Sequence, residues 1–310
     1  MQVLRRLRWF LVACWLSLAC GSVPVDAHAE TSPVLVLGRI SDDPKAHYDQ
    51  LKPLLDYVVP RMHDVGIRRG EILMAPDAQR MASYLRRGRV DWITETAGNA
   101  MLMQRRGGAH PLLLTERGGA RDYHTVFFVR RDSPVQRLEQ LRGRTLALQS
   151  PWSTSAYLVP LMTLLGAHLR PEILMSPHDV PAPDAVGYLL VRTETNIAAF
   201  VHKRLADAGA FSDQDWADAH AVPDAFRRDF RILHASAPVP RALEMVRAGM
   251  DPAVERRLGE VLRQAASDPQ AAPALRKFFG TTGFHPIDAE ARRRLRRLGD
   301  GMQRVRMDVE

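Results

Sequence analysis

Apolar residues first gather in VLVLGRI, Val34 to Ile40, a run of strand length with one charge near its end. Such a run predicts a strand buried on both faces. The period then changes. Tyr48, Leu51, Leu54, Leu55, Val58 and Val59 recur at three- and four-residue spacing, which predicts a helix. Glu71 to Ala75 predicts a second strand, and Asp77 then caps a helix carrying Met81, Tyr84 and Leu85. Arg89 to Ile93 reads as a short third strand, Asn99 to Arg106 as a helix and Pro111 to Thr115 as a fourth strand. This β-α-β-α-β-α-β rhythm predicts a parallel sheet with helices on both faces.

The rhythm breaks after that. Tyr123 to Arg130 predicts one long strand, ended by Asp132-Ser133-Pro134, and a helix follows around Leu138 to Leu141. Arg144 to Leu148 predicts a buried strand that runs directly into PWSTSAYLVP, Pro151 to Pro160. A helix is expected over about Asn196 to Arg204, a strand over Phe230 to Ala235, and helices from Asp251 on, with a turn at TTGFHPID. No Gly/Ser- or Pro-rich linker separates the two halves, and no internal repeat appears. The expectation is an α/β fold of two doubly wound lobes joined by crossing strands, with a ligand cleft between them. Lobe 1 takes residues 31–128 and 231–310, lobe 2 residues 129–230.

A chain of 310 residues suits two such lobes, and 46% hydrophobic with 25% charged residues is ordinary for a soluble globular protein. Residues 1–29 stand apart. Arg5, Arg6 and Arg8 precede an apolar stretch from Trp9 to Cys20, and Ala27-His28-Ala29 has the small-x-small pattern of a signal-peptidase site. A second reading makes Leu18-Ala19-Cys20 a lipid-attachment site. No later stretch is apolar for the ~20 residues that a membrane span needs. Both cysteines, Cys14 and Cys20, lie in this leader, so cleavage after Ala29 excludes a disulfide, a thiol enzyme and a thiolate metal site. The formal charge is +8, and three arginines and one aspartate fall in the leader, leaving about +6. The run Arg292 to Arg297 suits a solvated helix face better than nucleic acid, and a mildly positive field favours an anionic ligand.

Ser153-Thr154-Ser155 sits where the strand ending near Leu148 gives way to a helix starting near Ala156. A helix N-terminus has unpaired N–H groups and the positive end of the dipole, and three hydroxyls add uncharged donors. One reading is a site for a tetrahedral oxyanion. The other makes Ser153 a plain N-cap.

The chain resembles the phosphate/phosphite/phosphonate-binding proteins of ABC importers. The likeness rests on Ser153-Thr154-Ser155-Ala156-Tyr157-Leu158-Val159-Pro160, on PLLDYV (Pro53 to Val58), on GRVDW (Gly88 to Trp92) and on Tyr123 with its strand. RDSPVQRLEQLRG (Arg131 to Gly143), ADAGAFS (Ala206 to Ser212) and SAPVPRALEMVR (Ser236 to Arg247) complete it. The resemblance implies a type II periplasmic binding-protein fold that closes on its ligand, with the S-T-S triplet on phosphoryl oxygens and Tyr123 lining the pocket. It departs from the family at Ala156, where glycine is usual, at Ala78 after Asp77, and at Glu194, beside Thr193, where histidine is usual. Where an amine-binding carboxylate is found in some members, this chain has Arg241-Ala242, and Arg241 would either pair with an oxyanion or stand in water at the rim. Glu95, between Thr94 and Thr96 at the carboxyl end of a strand, would face the cleft and repel a phosphoryl group unless an arginine intervenes. Gln214, or Asp213 beside it, lies where the family often carries an acid.

An enzyme is not expected. No Gly-x-Ser-x-Gly, P-loop or zinc-binding His pair occurs, and His124 on its strand reads as a packed or hydrogen-bonded histidine rather than a base. No cofactor or metal is expected. The ligand-binding candidates are Ser153, Thr154, Ser155, Tyr123, Glu95, Thr96, Glu194 and Arg241. The resemblance implies a periplasmic protein that passes a small anion to an ABC permease with its ATPase. A sensor kinase is the alternative partner. Membrane contact would come through the partner or a lipid at Cys20.

Overall fold

A computed structural model describes residues 33–41 and 43–309. The leader expected over residues 1–29, with both of its processing readings, lies outside the described residues. The chain opens with β1 (Val34–Ile40), α1 (Pro44–Val58), β2 (Arg69–Ala75), α2 (Ala78–Arg86), β3 (Trp92–Glu95), α3 (Ala97–Gly107) and β4 (His110–Arg117). It continues through β5 (Asp122–Tyr123), β6 (Thr125–Arg130), β7 (Arg144–Leu148), α4 (Val159–Gly166), β8 (Arg170–Ile173), β9 (Ala185–Leu190), α5 (Glu194–His202), β10 (Ala208–Ser212), α6 (Asp213–Ala217) and α7 (Asp224–Arg227). It ends with β11 (Phe230–Ala235), β12 (Val239–Pro240), β13 (Ala242–Val246), α8 (Pro252–Ala265), α9 (Ala272–Lys277), β14 (Thr281–His285) and α10 (Ala289–Asp308).

Two six-stranded sheets form, in the orders β14-β4-β13-β3-β1-β2 and β11-β6-β10-β7-β9-β8. The ribbon β5-β12 carries the chain from the first sheet to the second and back. The first sheet is not purely parallel, as the rhythm of its opening half predicts. β13 enters antiparallel between β3 and β4, because the chain returns to this sheet from the other lobe. TTGFHPID is likewise not a turn. Its first five residues form the edge strand β14, and Gly283 stands beside a register shift in the pairing with β4.

The long strand expected over Tyr123 to Arg130 breaks at His124, whose N–H donates to the Asp213 carboxylate at 3.2 Å. That break lets the chain change sheets. The second sheet takes residues 125–130 and 230–235, so it starts a few residues earlier and ends later than lobe 2 as expected at 129–230. The third strand starts at Trp92 rather than Arg89.

Helices cover both faces of each sheet. Leu51, Leu54, Leu55 and Val58 of α1 are fully or almost fully buried in one face of the first sheet, together with Leu258, Val261 and Leu262 of α8. Each such side chain contributes about 1.5–3 kcal/mol. α10 packs on α3 of the first lobe and on α4 of the second. Gly301 makes the second contact, since Met162 of α4 occupies the space its Cβ would fill. Among the hydroxyl and carboxylate caps, Asp77, Thr193 and Asp288 each accept a backbone N–H of the helix they start, worth about 1 kcal/mol apiece.

Candidate functional site

The carboxyl ends of β1 and β3 and the start of β13 face the loop after β7 across a cavity of about 550 Å³. All eight candidate residues, Ser153, Thr154, Ser155, Tyr123, Glu95, Thr96, Glu194 and Arg241, line it. A second cavity of about 440 Å³ adjoins it and shares Asn99, Trp152, Ser153 and Thr154. The walls of that second space are mainly apolar, with Tyr157, Tyr188, Leu190 and Ile173 among them.

The triplet begins a π-helical turn, Thr154–Leu158, which leads into α4. Ser153 is its N-cap, and its Oγ accepts the Ala156 N–H at 3.0 Å. Pro160 falls within the first turn of α4, and the Ala156 carbonyl four residues before it takes the Gln149 N–H at 3.0 Å instead. Ala156 has φ −111° and ψ 17°, a conformation open to any L-residue, so alanine serves where the family usually has glycine. Thr154 is already engaged across the cavity. Its Oγ takes the Gly98 N–H at 3.0 Å and lies 3.0 Å from the Thr96 hydroxyl. A Cβ on Gly98 would stand 2.7 Å from that same Thr154 oxygen, so only glycine allows this approach. The start of α3 and the π-turn therefore bring two helix N-termini, each the positive end of a dipole, towards one space.

Tyr123 is buried, and burial pushes its phenol up, while the Arg241 guanidinium and the Ser155 and Thr154 hydroxyls pull the other way. The Arg241 guanidinium carbon lies 4.9 Å from the Tyr123 ring centre, and its Nε donates to Gln214 at 2.8 Å. Arg241 is thus a wall of the cavity, held by an aromatic face and an amide. Glu95 is buried and fully used. One oxygen accepts the Ile40 N–H at 3.1 Å and the other the Asn99 amide at 3.2 Å. It braces the end of β1 against the first turn of α3.

Glu194, the first residue of α5, accepts the Gln149 amide at 2.6 Å. Burial raises its carboxyl, and the charge of Asp215 raises it further. Asp215 itself is raised by burial, against the Ser212 hydroxyl and backbone that hold it in a capping box. His124 is bound to Asp213, with Nδ1 3.3 Å from a carboxylate oxygen, and does not line the cavity. Among the described residues, no three His, Cys, Asp or Glu side chains are grouped to hold a metal ion. No described helix is long and apolar enough to cross a membrane.

Sequence reasoning missed Arg39, Arg192, Asp215 and His47, all on the cavity wall, and Arg117 just behind it. Arg39 was readable in principle. A lone arginine near the carboxyl end of a strand otherwise apolar marks the sheet edge where such folds bind ligands. The acid expected at Gln214 or Asp213 is instead Asp215, one residue on.

The family model described as "ABC transporter, phosphonate, periplasmic substrate-binding protein" matches residues 38–291. XAC2383 from Xanthomonas citri bound to chloride ion is 65% identical, with a TM-score of 0.86 over 90% of this chain and 100% of that one. The same protein bound to ATP aligns at 64% identity with the same score and coverage. PhnD1 from Prochlorococcus marinus (MIT 9301), in complex with methylphosphonate, shares the fold at 13% identity and a TM-score of 0.63, over 87% of this chain and 99% of that one. No curated protein matches the chain.

Proposed function

The chain belongs to the periplasmic substrate-binding proteins of phosphonate ABC transporters and has their type II binding fold, and from that premise we propose that it captures a phosphoryl-bearing solute in its cleft and delivers it to an ABC permease with its ATPase. The observation that carries this reading is the cavity itself. The candidate residues of the sequence converge on one polar space, with the Ser153–Ser155 turn against the N-terminus of α3.

The mechanism follows from those contacts. A phosphoryl group brings acceptor oxygens to hydroxyls and to N–H groups at two helix starts. Each charge-assisted hydrogen bond contributes roughly 1.5–3 kcal/mol, so several offset the desolvation of a doubly charged group. The ligand makes contacts to both lobes only when they are together, so it shifts the population towards the closed form that a permease reads. A volume of about 550 Å³ is in the range of sites for organic ligands and exceeds what one small oxyanion fills. A relative bound to ATP, a phosphorylated organic compound, is in keeping with that size.

A thermal-shift panel of phosphate, methylphosphonate, AMP, ATP, sulfate and a zwitterionic amino acid tests the reading. A ligand at 100 times its Kd adds about 2.7 kcal/mol of stability. A shift with phosphorus compounds and none with the amino acid supports it. The reverse pattern overturns it.

A further inference from the structure

The next step rests on phosphoryl capture at Ser153–Ser155 and concerns the opposite wall. Arg39 near the end of β1, Arg117 at the end of β4 and Arg241 just before β13 stand at one end of the strands of the first sheet. None forms an ion pair among the described residues, whereas Arg130, Arg144, Arg247 and Arg294 each hold a carboxylate. Their hydrogen bonds go to neutral groups. Arg39 donates to the Thr94 carbonyl at 3.1 Å, Arg117 to the Thr94 hydroxyl at 3.0 Å and Arg241 to the Gln214 amide oxygen at 2.8 Å.

The nearby carboxylates are occupied. Buried Glu244 takes Trp92 Nε1 at 2.6 Å, the Thr115 hydroxyl at 2.7 Å and the Thr94 hydroxyl at 2.8 Å, and Glu95 is held by Ile40 and Asn99. The Nε atoms of Arg39 and Arg117 are both buried with no hydrogen-bond partner, and Arg117 as a whole is 5% exposed. An unpaired buried guanidinium is costly unless something else completes it.

Phe279 holds the pair in place. The guanidinium carbons of Arg39 and Arg117 lie 4.3 and 4.6 Å from its ring centre. Its backbone has a left-handed φ of 54°, a conformation that costs a non-glycine residue energy and collects at functional sites. Burial, then the charges of Arg241 and Arg39, push Arg117 down to about 9, against the opposing charges of Glu244 and Glu95. An anion placed here would relieve that crowding.

We propose that Arg39, backed by Arg117 and Arg241, is a second anion subsite, which takes a second phosphoryl group of the same ligand whose first phosphoryl group lies on Ser153–Ser155. The ligand class is then a molecule with two linked phosphoryl groups, such as a diphosphate or a diphosphonate. Arg39 lines the same cavity as the triplet, so one molecule can reach both.

Calorimetry with methylphosphonate and methylenediphosphonate, at matched ionic strength, tests this. The wild-type protein is expected to bind the diphosphonate at least ~10-fold more tightly, since a second charged group gains bidentate arginine contacts. Arg39→Gln should erase that preference by weakening diphosphonate binding far more than methylphosphonate binding, and Arg39→Lys should recover part of it. Phe279→Leu, which keeps every charge but removes the shared ring, should also reduce the preference. Equal wild-type affinity for the two compounds, or a preference that survives Arg39→Gln in a folded variant, overturns the subsite alone. Binding of neither compound overturns the capture reading as well.

Discussion

The two walls of the cleft carry different chemistry. The first lobe supplies fixed positive charge, in Arg39, Arg117 and Arg241, held by a ring, a threonine and an amide rather than by carboxylates. The second lobe supplies uncharged donors in Ser153–Ser155, and beside them the carboxyls of Glu194 and Asp215. The difference is one of strength against selectivity. Charge on one wall attracts many anions. On the proposed reading, hydroxyls and helix N–H groups on the other would admit those whose oxygens fit, and the adjacent acids would oppose surplus negative charge.

The walls touch at Gly98 and Thr154, and the largest effect is expected there. Gly98→Val drives a branched side chain into the Thr154 oxygen and Leu158, an overpacking of about 1–3 kcal/mol felt only when the lobes are together. Ligand affinity should fall about 10- to 100-fold, and small-angle scattering should lose the ligand-induced compaction. Affinity equal to wild type would show that this contact is dispensable for closure.

Removing donors from the second wall comes next. Ser153→Ala or Thr154→Ala should weaken methylphosphonate binding at least ~10-fold, about 1.4 kcal/mol. Unchanged affinity in both variants would leave the triplet as a helix cap and nothing more.

The acids give a smaller effect with a defined pH dependence. Burial raises Glu194, so the folded protein holds that proton more tightly than the unfolded chain does. Its ionisation therefore costs stability above the folded-state value and costs none below the ordinary carboxylate range. Glu194→Gln should raise Tm at neutral pH, and the gain should vanish as pH falls through that range. The same variant should bind anions about 2- to 3-fold more tightly at neutral pH, since one repulsive charge is gone. A Tm gain that grows on acidification would contradict the burial argument.

The smallest effect separates the cleft from the outer surface. Arg293 and Arg297 of α10 are exposed, and Arg297→Gln should change stability by less than about 0.5 kcal/mol and leave ligand affinity unchanged. A marked loss of affinity there would extend the binding surface beyond the cleft.

The second wall was legible in the sequence because its signal is local. Hydroxyls at a strand-to-helix junction announce themselves within ten residues, and the structure gives Ser153 its cap and Thr154 its place on the cavity. The first wall was not. Arg39 and Arg117 come from two separate strands and Arg241 from the link before a third, and a ring near residue 280 clamps the first two. No spacing rule joins those positions. Glu95 illustrates the same limit. Its place facing the cleft was readable, but its engagement by Ile40 and Asn99 depends on how β1 and α3 meet. Period alone also made the first sheet parallel, because a strand arriving about 130 residues later leaves no mark on the opening βα units.

That late strand sets an order of assembly. The second sheet draws all its strands from residues 125–235, a continuous stretch. The first sheet has a gap between β3 and β4 until residues 242–246 fill it, and its arginine clamp waits for Phe279. Closing loops of that length costs chain entropy before any contact repays it. The hydroxyl wall therefore draws on one stretch of chain and the arginine wall on three distant ones, so the finished cleft requires nearly the whole chain to be folded.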